Sequence, residues 1–207
     1  NEDDSLDWAD GWNGKAQFVL VKQDPANTVT NRGIEADNQA TNFSATPLSE
    51  PTVANMTIIG NTFVSADMDS EGVLLRAGTS AKLHNFVIAG PKTATGAMGE
   101  CLEIESDQSK AHAQSGRLVM THSVIGCPEP FKGTVSATQS VKQWFEAQAG
   151  NKTVADQASV LNGIYTIDNS TPKDMSAVDP FFSKTTFVGA VDAANDWTQG
   201  WTFGLRK

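Results

Sequence analysis

Basic residues are scarce and unclustered: 15 Lys and Arg stand against 24 Asp and Glu, a net charge of -9. Nucleic-acid binding needs clustered cations to neutralise phosphates, so that class of partner is excluded. An anionic membrane surface is disfavoured for the same reason. No apolar run approaches the roughly 20 residues of a membrane helix, so no membrane span is expected in this segment. Cysteine is nearly absent as well, with Cys101 and Cys127 alone, 26 positions apart. A bridge between them would close a loop worth on the order of 3 kcal/mol of chain entropy; two buried thiols are the other reading. Sparse Lys, abundant Thr, Ser, Asn and Gly, and this cysteine pair together point to an exported protein.

What is present is a paired pattern that recurs four times without being a copy. Short strand-like stretches begin at Ser5, Gly33, Gly72 and Cys101, spaced 28, 39 and 29 residues apart. Each is followed by a second stretch: Gln17 to Leu20, Asn55 to Ile58, Asn85 to Ile88 and Thr121 to Val124. Repetition at this period, in strands rather than helices, is the mark of a coiled solenoid. The chain has no signal peptide or initiator Met and is in a strand pattern by Leu6. Because a coil that starts in mid-turn has an uncapped edge, a C-terminal piece of a longer protein is expected. Open coil ends also make self-association an expectation.

Aligning the first stretches gives columns. Leu6, Ile34, Val73 and Leu102 form one apolar column, and Trp8, Ala36, Leu75 and Ile104 the next. Asp7, Glu35, Leu74 and Glu103 fall between them, followed by Ala9, Asp37, Arg76 and Glu105, and period-two alternation puts these on the outer face. Stacking then sets Arg76 between Asp37 and Glu105. In the second stretches, Leu20, Ile58, Ile88 and Val124 are expected to share a column, and Phe18, Met56, Phe86 and His122 another. Asn55 and Asn85 fall in register as a candidate amide ladder. The segments 38–50, 91–99 and 106–116 read as polar loops.

Beyond Cys127 the pattern changes. Ser136-Ala137-Thr138-Gln139 fits a capping box ahead of Val141, Trp144 and Phe145, predicting one helix ended by Gly150. Ile164 to Ile167 reads as a further short strand. The aromatic-rich tail through Trp197 and Trp201 reads as a cap over the open coil end, with a sugar-binding platform as the other reading.

The segments Asp3 to Trp8, Asn31 to Asn38 and Leu74 to Thr79 resemble late coils of large secreted or lipid-anchored bacterial proteins. The ending Phe187 to Ala190, then Asp196 to Thr202, is similar to their C-terminal signature. The resemblance covers nearly the whole chain. It implies an all-β fold, a right-handed parallel β-helix at the outer surface of Gram-negative, often marine, bacteria, in a largely uncharacterised family. The expected organisation is coils over 1–130 and a helix-containing cap over 131–207.

Parallel β-helices often cut acidic polysaccharides, so chemistry must be sought. The densest acid cluster is Asp3, Asp4, Asp7 and Asp10, with Glu35 and Asp37 one turn on, and Asp4, Asp7, Asp10 and Glu35 are its candidate metal ligands. Carboxylates about 5 Å apart suit either a retaining glycosidase or a calcium ion; no other cofactor is expected. A lyase would need a basic residue beside the substrate, and Arg76 alone stands in the outer columns, with Arg32 at a turn. His122 is expected as a core imidazole, with His84 before a strand and His112 in a loop. Three functions follow. The leading expectation is a non-catalytic extracellular scaffold or adhesive protein whose partners are polysaccharides or other surface proteins. The alternatives are a pectinase-like lyase or hydrolase, and a glycan-binding module using Trp12, Trp197 or Trp201 as stacking platforms.

Overall fold

A computed structural model describes residues 3–24, 31–61, 70–92, 99–194 and 196–205. In chain order the strands are β1 (Leu6–Trp8), β2 (Lys15–Lys22), β3 (Ile34–Ala36), β4 (Thr52–Ile59), β5 (Val73–Leu75), β6 (Lys82–His84), β7 (Val87–Ala89) and β8 (Glu100–Ile104). Helix α1 (Asp107–Ser115) precedes β9 (Val119–Thr121), β10 (Val124–Gly126), β11 (Glu129–Lys132), β12 (Thr134–Ser136) and β13 (Gln139–Ser140). Helix α2 (Val141–Ala147) and three two-residue strands follow: β14 (Lys152–Thr153), β15 (Leu161–Asn162) and β16 (Tyr165–Thr166). The fold is all-β in character.

The chain passes alternately through two parallel sheets. One runs β1-β3-β5-β8-β11; the other contains β2, β4, β6, β7, β9, β10 and β14. In the five-stranded sheet Leu6, Ile34, Val73 and Leu102 stand in register, as do Trp8, Ala36, Leu75 and Ile104. Ile34, Val73 and Leu102 have no exposed surface. These side chains meet Met56, Ile58, Phe86 and Ile88 from the second sheet in one apolar core.

The second sheet departs from the expected register at both ends. Val21, not Leu20, pairs with Ile58, and Ile125, not Val124, pairs with Ile88. The cause is a bend. Among the described residues, the seven non-glycine residues with positive φ fall into two columns. Asp10, Ala77 and Ser106 follow the strands of the first sheet, with φ of 51°, 47° and 58°. Phe18, Asn55, Asn85 and His122, at 61°, 50°, 60° and 53°, occupy one level of the second sheet. Left-handed backbone costs a non-glycine residue roughly 1–2 kcal/mol, least for Asn. Asn therefore marks the bend in the middle strands, whereas Phe18 and His122 hide it. Matching Phe18 and His122 to apolar neighbours slides each outer strand by one residue, which exchanges its faces. His122 is accordingly a half-buried bend residue, its Nδ1 at 3.1 Å from Thr121 Oγ1, rather than a core imidazole.

The amide ladder exists and does more than stack. Gln17 Nε2 donates to Asn55 Oδ1 at 3.0 Å, and Asn85 Nδ2 reaches the same oxygen at 3.5 Å. Asn85 also holds the Lys173 backbone, accepting from its N at 2.7 Å and donating to its O at 3.0 Å. Asn55 Nδ2 donates to Phe187 O at 3.1 Å and Gly189 O at 3.2 Å. The tail is thus strapped along the flank of the second sheet. Val87, Ala89 and Val124 pack there with Val188, Ala190 and Val191 in a second core.

Two helices differ from expectation. The segment read as a loop over 106–116 contains α1, capped by Ser106 and closed by Gly116 at φ 73°. Its sequence is polar nearly throughout, and only Ser109 and Ala113 are buried, so it carries almost no apolar periodicity. His112 therefore lies on a helix. The capping box of α2 is Ser140 with Gln143, not Ser136 with Gln139, which lie in and at the end of the β12–β13 hairpin. The insert read over 91–99 falls mostly outside the described residues. Cys101 and Cys127 form a disulfide with Cα atoms 6.0 Å apart.

Asn55→Ala should weaken the protein by about 3 kcal/mol, because several buried partners lose their bonds and Ala disfavours left-handed backbone. Chemical denaturation measures this, and the tail beyond Ser170 should become the first site of proteolysis.

Candidate functional site

The outer side of the five-stranded sheet carries a ladder of charges that the register assembles. Asp7, Glu35, Leu74, Glu103 and Lys132 stand in one column. Two residues before the core column stand Asp4, Arg32, Glu71 and Glu100. Between the columns the backbones approach closely at Gly33, where a Cβ would meet Gly72 O at 2.5 Å. The two columns consequently meet through long side chains.

Three cations bind the ladder together. Arg32 Nη1 lies 2.6 Å from Glu35 and 3.9 Å from Asp4, while its Nε donates to Glu71 at 2.8 Å. Arg76 lies 2.9 Å from Asp37, as expected, and 2.5 Å from Glu35, which takes the place expected for Glu105. Lys132 Nζ lies 2.9 Å from Glu103 and 4.0 Å from both Glu71 and Glu100. The Glu71 side chain has no exposed surface and that of Asp4 is 7% exposed. Leu74, though outward in register, is 1% exposed beneath this layer.

Burial and the neighbouring Glu35 raise the Asp4 carboxyl to about 7, against the opposing pull of Arg32. Burial raises Glu103 too, with Lys132 opposing. Asp7 is raised by partial burial and by Asp37. Carboxylate oxygens of Glu71, Glu100 and Glu103 lie within 4.8 Å of one another, close enough to share a metal ion. That is the oxygen-rich donor set a hard cation takes, but Lys132 already places its ammonium on the same three groups.

Of the residues singled out by sequence, Asp4 and Glu35 meet through Arg32, and Asp7 sits exposed at the column edge. Asp10 lies apart, in the left-handed turn, where its N donates to Asn38 O. Trp12 is half-buried against Trp8, ring centroids 5.8 Å apart. Trp197 and Trp201 stack at 5.8 Å with 36% and 70% of their surface exposed. Glu71, Glu100 and Lys132 were missed. The column rule reaches the two glutamates, two residues before Val73 and Leu102. Lys132 lies on β11, beyond the point where the repeat seemed to stop.

Away from the ladder, His84 is pushed down to about 3 by burial, with Lys173, His122 and Lys82 adding repulsion. Its Nδ1 and Thr121 Oγ1 are 2.7 Å apart.

Arg32→Met should cost about 3 kcal/mol, since it removes the guanidinium held 2.8 Å from a buried carboxylate; equilibrium unfolding reads the loss. The pH dependence has two opposite slopes. Asp4 rises from 3.8 to about 7 on folding, so its contribution is complete below 3.8 and is lost as pH climbs through 7. His84 falls from 6.5 to about 3, so its contribution is complete above 6.5 and is lost as pH drops through 3. Between about pH 4 and 7, Asp4→Asn should remove a loss of stability with rising pH, and between about pH 3 and 6.5, His84→Gln should remove a loss on acidification.

No curated protein and no solved structure matches the chain. A family model does, over residues 1–202, and its description is a pectate-lyase-like β-helix domain. With a model that spans nearly the whole sequence and a core of in-register parallel strands, the chain belongs to the pectate-lyase-like β-helix domain family.

Proposed function

We propose that this chain is part of a right-handed parallel β-helix that acts outside the cell, at the outer surface, as a non-catalytic scaffold or adhesive. Right-handed winding follows from the near-universal hand of parallel crossovers. Residues 1–130 supply the coils, and residues 131–207, through α2 and the strapped tail, supply the covering. Polysaccharides and other surface proteins are its partners.

One observation carries this reading: the ladder's cations are taken up by its own carboxylates. Each of Arg32, Arg76 and Lys132 is committed to two or three carboxylates on neighbouring strands. A glycosidase needs one carboxylic acid and one carboxylate facing a substrate. Here the carboxyl held near neutral pH, Asp4, is 7% exposed at its side chain, and its neighbour Glu35 is bound by two guanidiniums. The groups are arranged to hold one another.

A polysaccharide lyase or hydrolase is the second reading. The family description and the raised Asp4 beside Glu35 favour it. Incubation with acidic and neutral polysaccharides separates the two. The scaffold reading predicts retention on cell envelopes or insoluble glycans with no new reducing or unsaturated ends. Product formation that Asp4→Asn and Glu35→Gln abolish, with folding intact, would overturn it.

A further inference from the structure

We propose that a groove between the 38–50 insert and α1 binds a short neutral oligosaccharide, with Phe43 as the ring on which a sugar stacks. The insert is held from beneath. Asn38, with no exposed surface, donates to Phe43 O at 3.2 Å and Ala45 O at 3.0 Å, and its Oδ1 accepts from Ser49 N at 2.8 Å. Asn42 Oδ1 accepts from Ser44 N at 3.2 Å. The Phe43 carbonyl rests directly on Gly78, where an added Cβ would lie 1.9 Å away. The backbone is fixed, yet the Phe43 residue is 37% exposed. A partly exposed aromatic residue on a braced loop is a preorganised contact, and little ordering remains to be done on binding.

Phe43 lines two adjoining cavities. One, about 270 Å³, has Asp37, Arg76, Glu105 and Ser106 on its walls. The other, about 240 Å³, has Leu48, Gln108, His112 and Arg117. Phe43 is common to both, and each is close to the lower end of ordinary ligand sites, roughly 300–1,000 Å³.

The charges select the ligand. Arg76 is balanced by Asp37 and Glu35, and Arg117 by Glu50 at 2.9 Å. Burial and Arg117 lower His112, which faces the groove as a neutral imidazole with one donor and one acceptor. Hydroxyl groups fit such mixed donors and acceptors. A polyanion would meet Asp37 and Glu105 on a chain of net charge -9. The proposal gives the adhesive reading a ligand class and rests on it for its purpose, but the two fail separately.

Saturation-transfer NMR on the whole chain, with cellotetraose, laminaritetraose and mannotetraose as probes, tests it. At least one should receive saturation, Phe43→Ala should weaken it about tenfold, and Trp201→Ala should leave it unchanged. Phe43→Tyr should keep binding and Gln108→Ala should reduce it, which carries the test if the Ala variant at Phe43 does not fold. The proposal is overturned if none of the three binds, if Phe43→Ala binds as wild type does, or if tetragalacturonate binds more tightly than all three. Should adhesion to cell envelopes persist in that case, only this site falls; if the tetrasaccharides bind Phe43 but the protein does not adhere, only the adhesive reading falls.

Discussion

Parallel backbone pairing that sets like positions over one another is the constraint from which the rest of this molecule follows. Once Ile34 lies beside Val73 and Val73 beside Leu102, every other residue of those strands has its neighbours assigned. The apolar positions become a core with no exposed surface at its centre. The positions between them become a column on the outside, and whatever charge the sequence places there must be balanced by the strands above and below. Arg32, Arg76 and Lys132 do this, each reaching across strands to carboxylates that would otherwise repel.

Burying such groups gains little by itself, because desolvation offsets most of the attraction between the partners. What the ladder gives is register. A strand slipped by one residue would turn Glu35 and Glu103 inward and leave the cations without partners. The bend columns act in the same sense, since a left-handed residue fits at one level only. The strapped tail adds a third specification: Asn55 and Asn85 hold its backbone where Val188, Ala190 and Val191 cover the outer side of the second sheet. That sheet is apolar on both faces for this reason, with Ile88 in one core and Val87 in the other.

The legible parts of the sequence were those where identical spacing met apolar residues. Leu6, Ile34, Val73 and Leu102 line up as read, and the Cys101–Cys127 bridge is present. The second sheet was legible only where Asn marks its bend. Phe18 and His122 occupy the same level and carry no sign of it, so apolar matching misplaced both outer strands. Helix α1 escaped because its buried side chains are two small residues, Ser109 and Ala113, which give no apolar periodicity. The charge ladder was half visible: Asp4, Glu35 and Arg76 were in view, while Lys132 lay past the apparent end of the repeat and Glu71 was not taken as part of a column. The groove around Phe43 could not be read at all, because it depends on a loop folding back onto a helix that the sequence did not announce.

The central claim, that like positions are stacked strand upon strand, is tested most directly by methyl-to-methyl contacts in solution. On selectively methyl-labelled protein, nuclear Overhauser effects should run from Ile34 to Val73 and from Val73 to Leu102, and in the other sheet from Ile58 to Ile88 and on to Ile125. Contacts from Ile88 to Val124 in place of Ile125, or none linking Ile34 with Val73, would contradict the register and with it the account of the charged face.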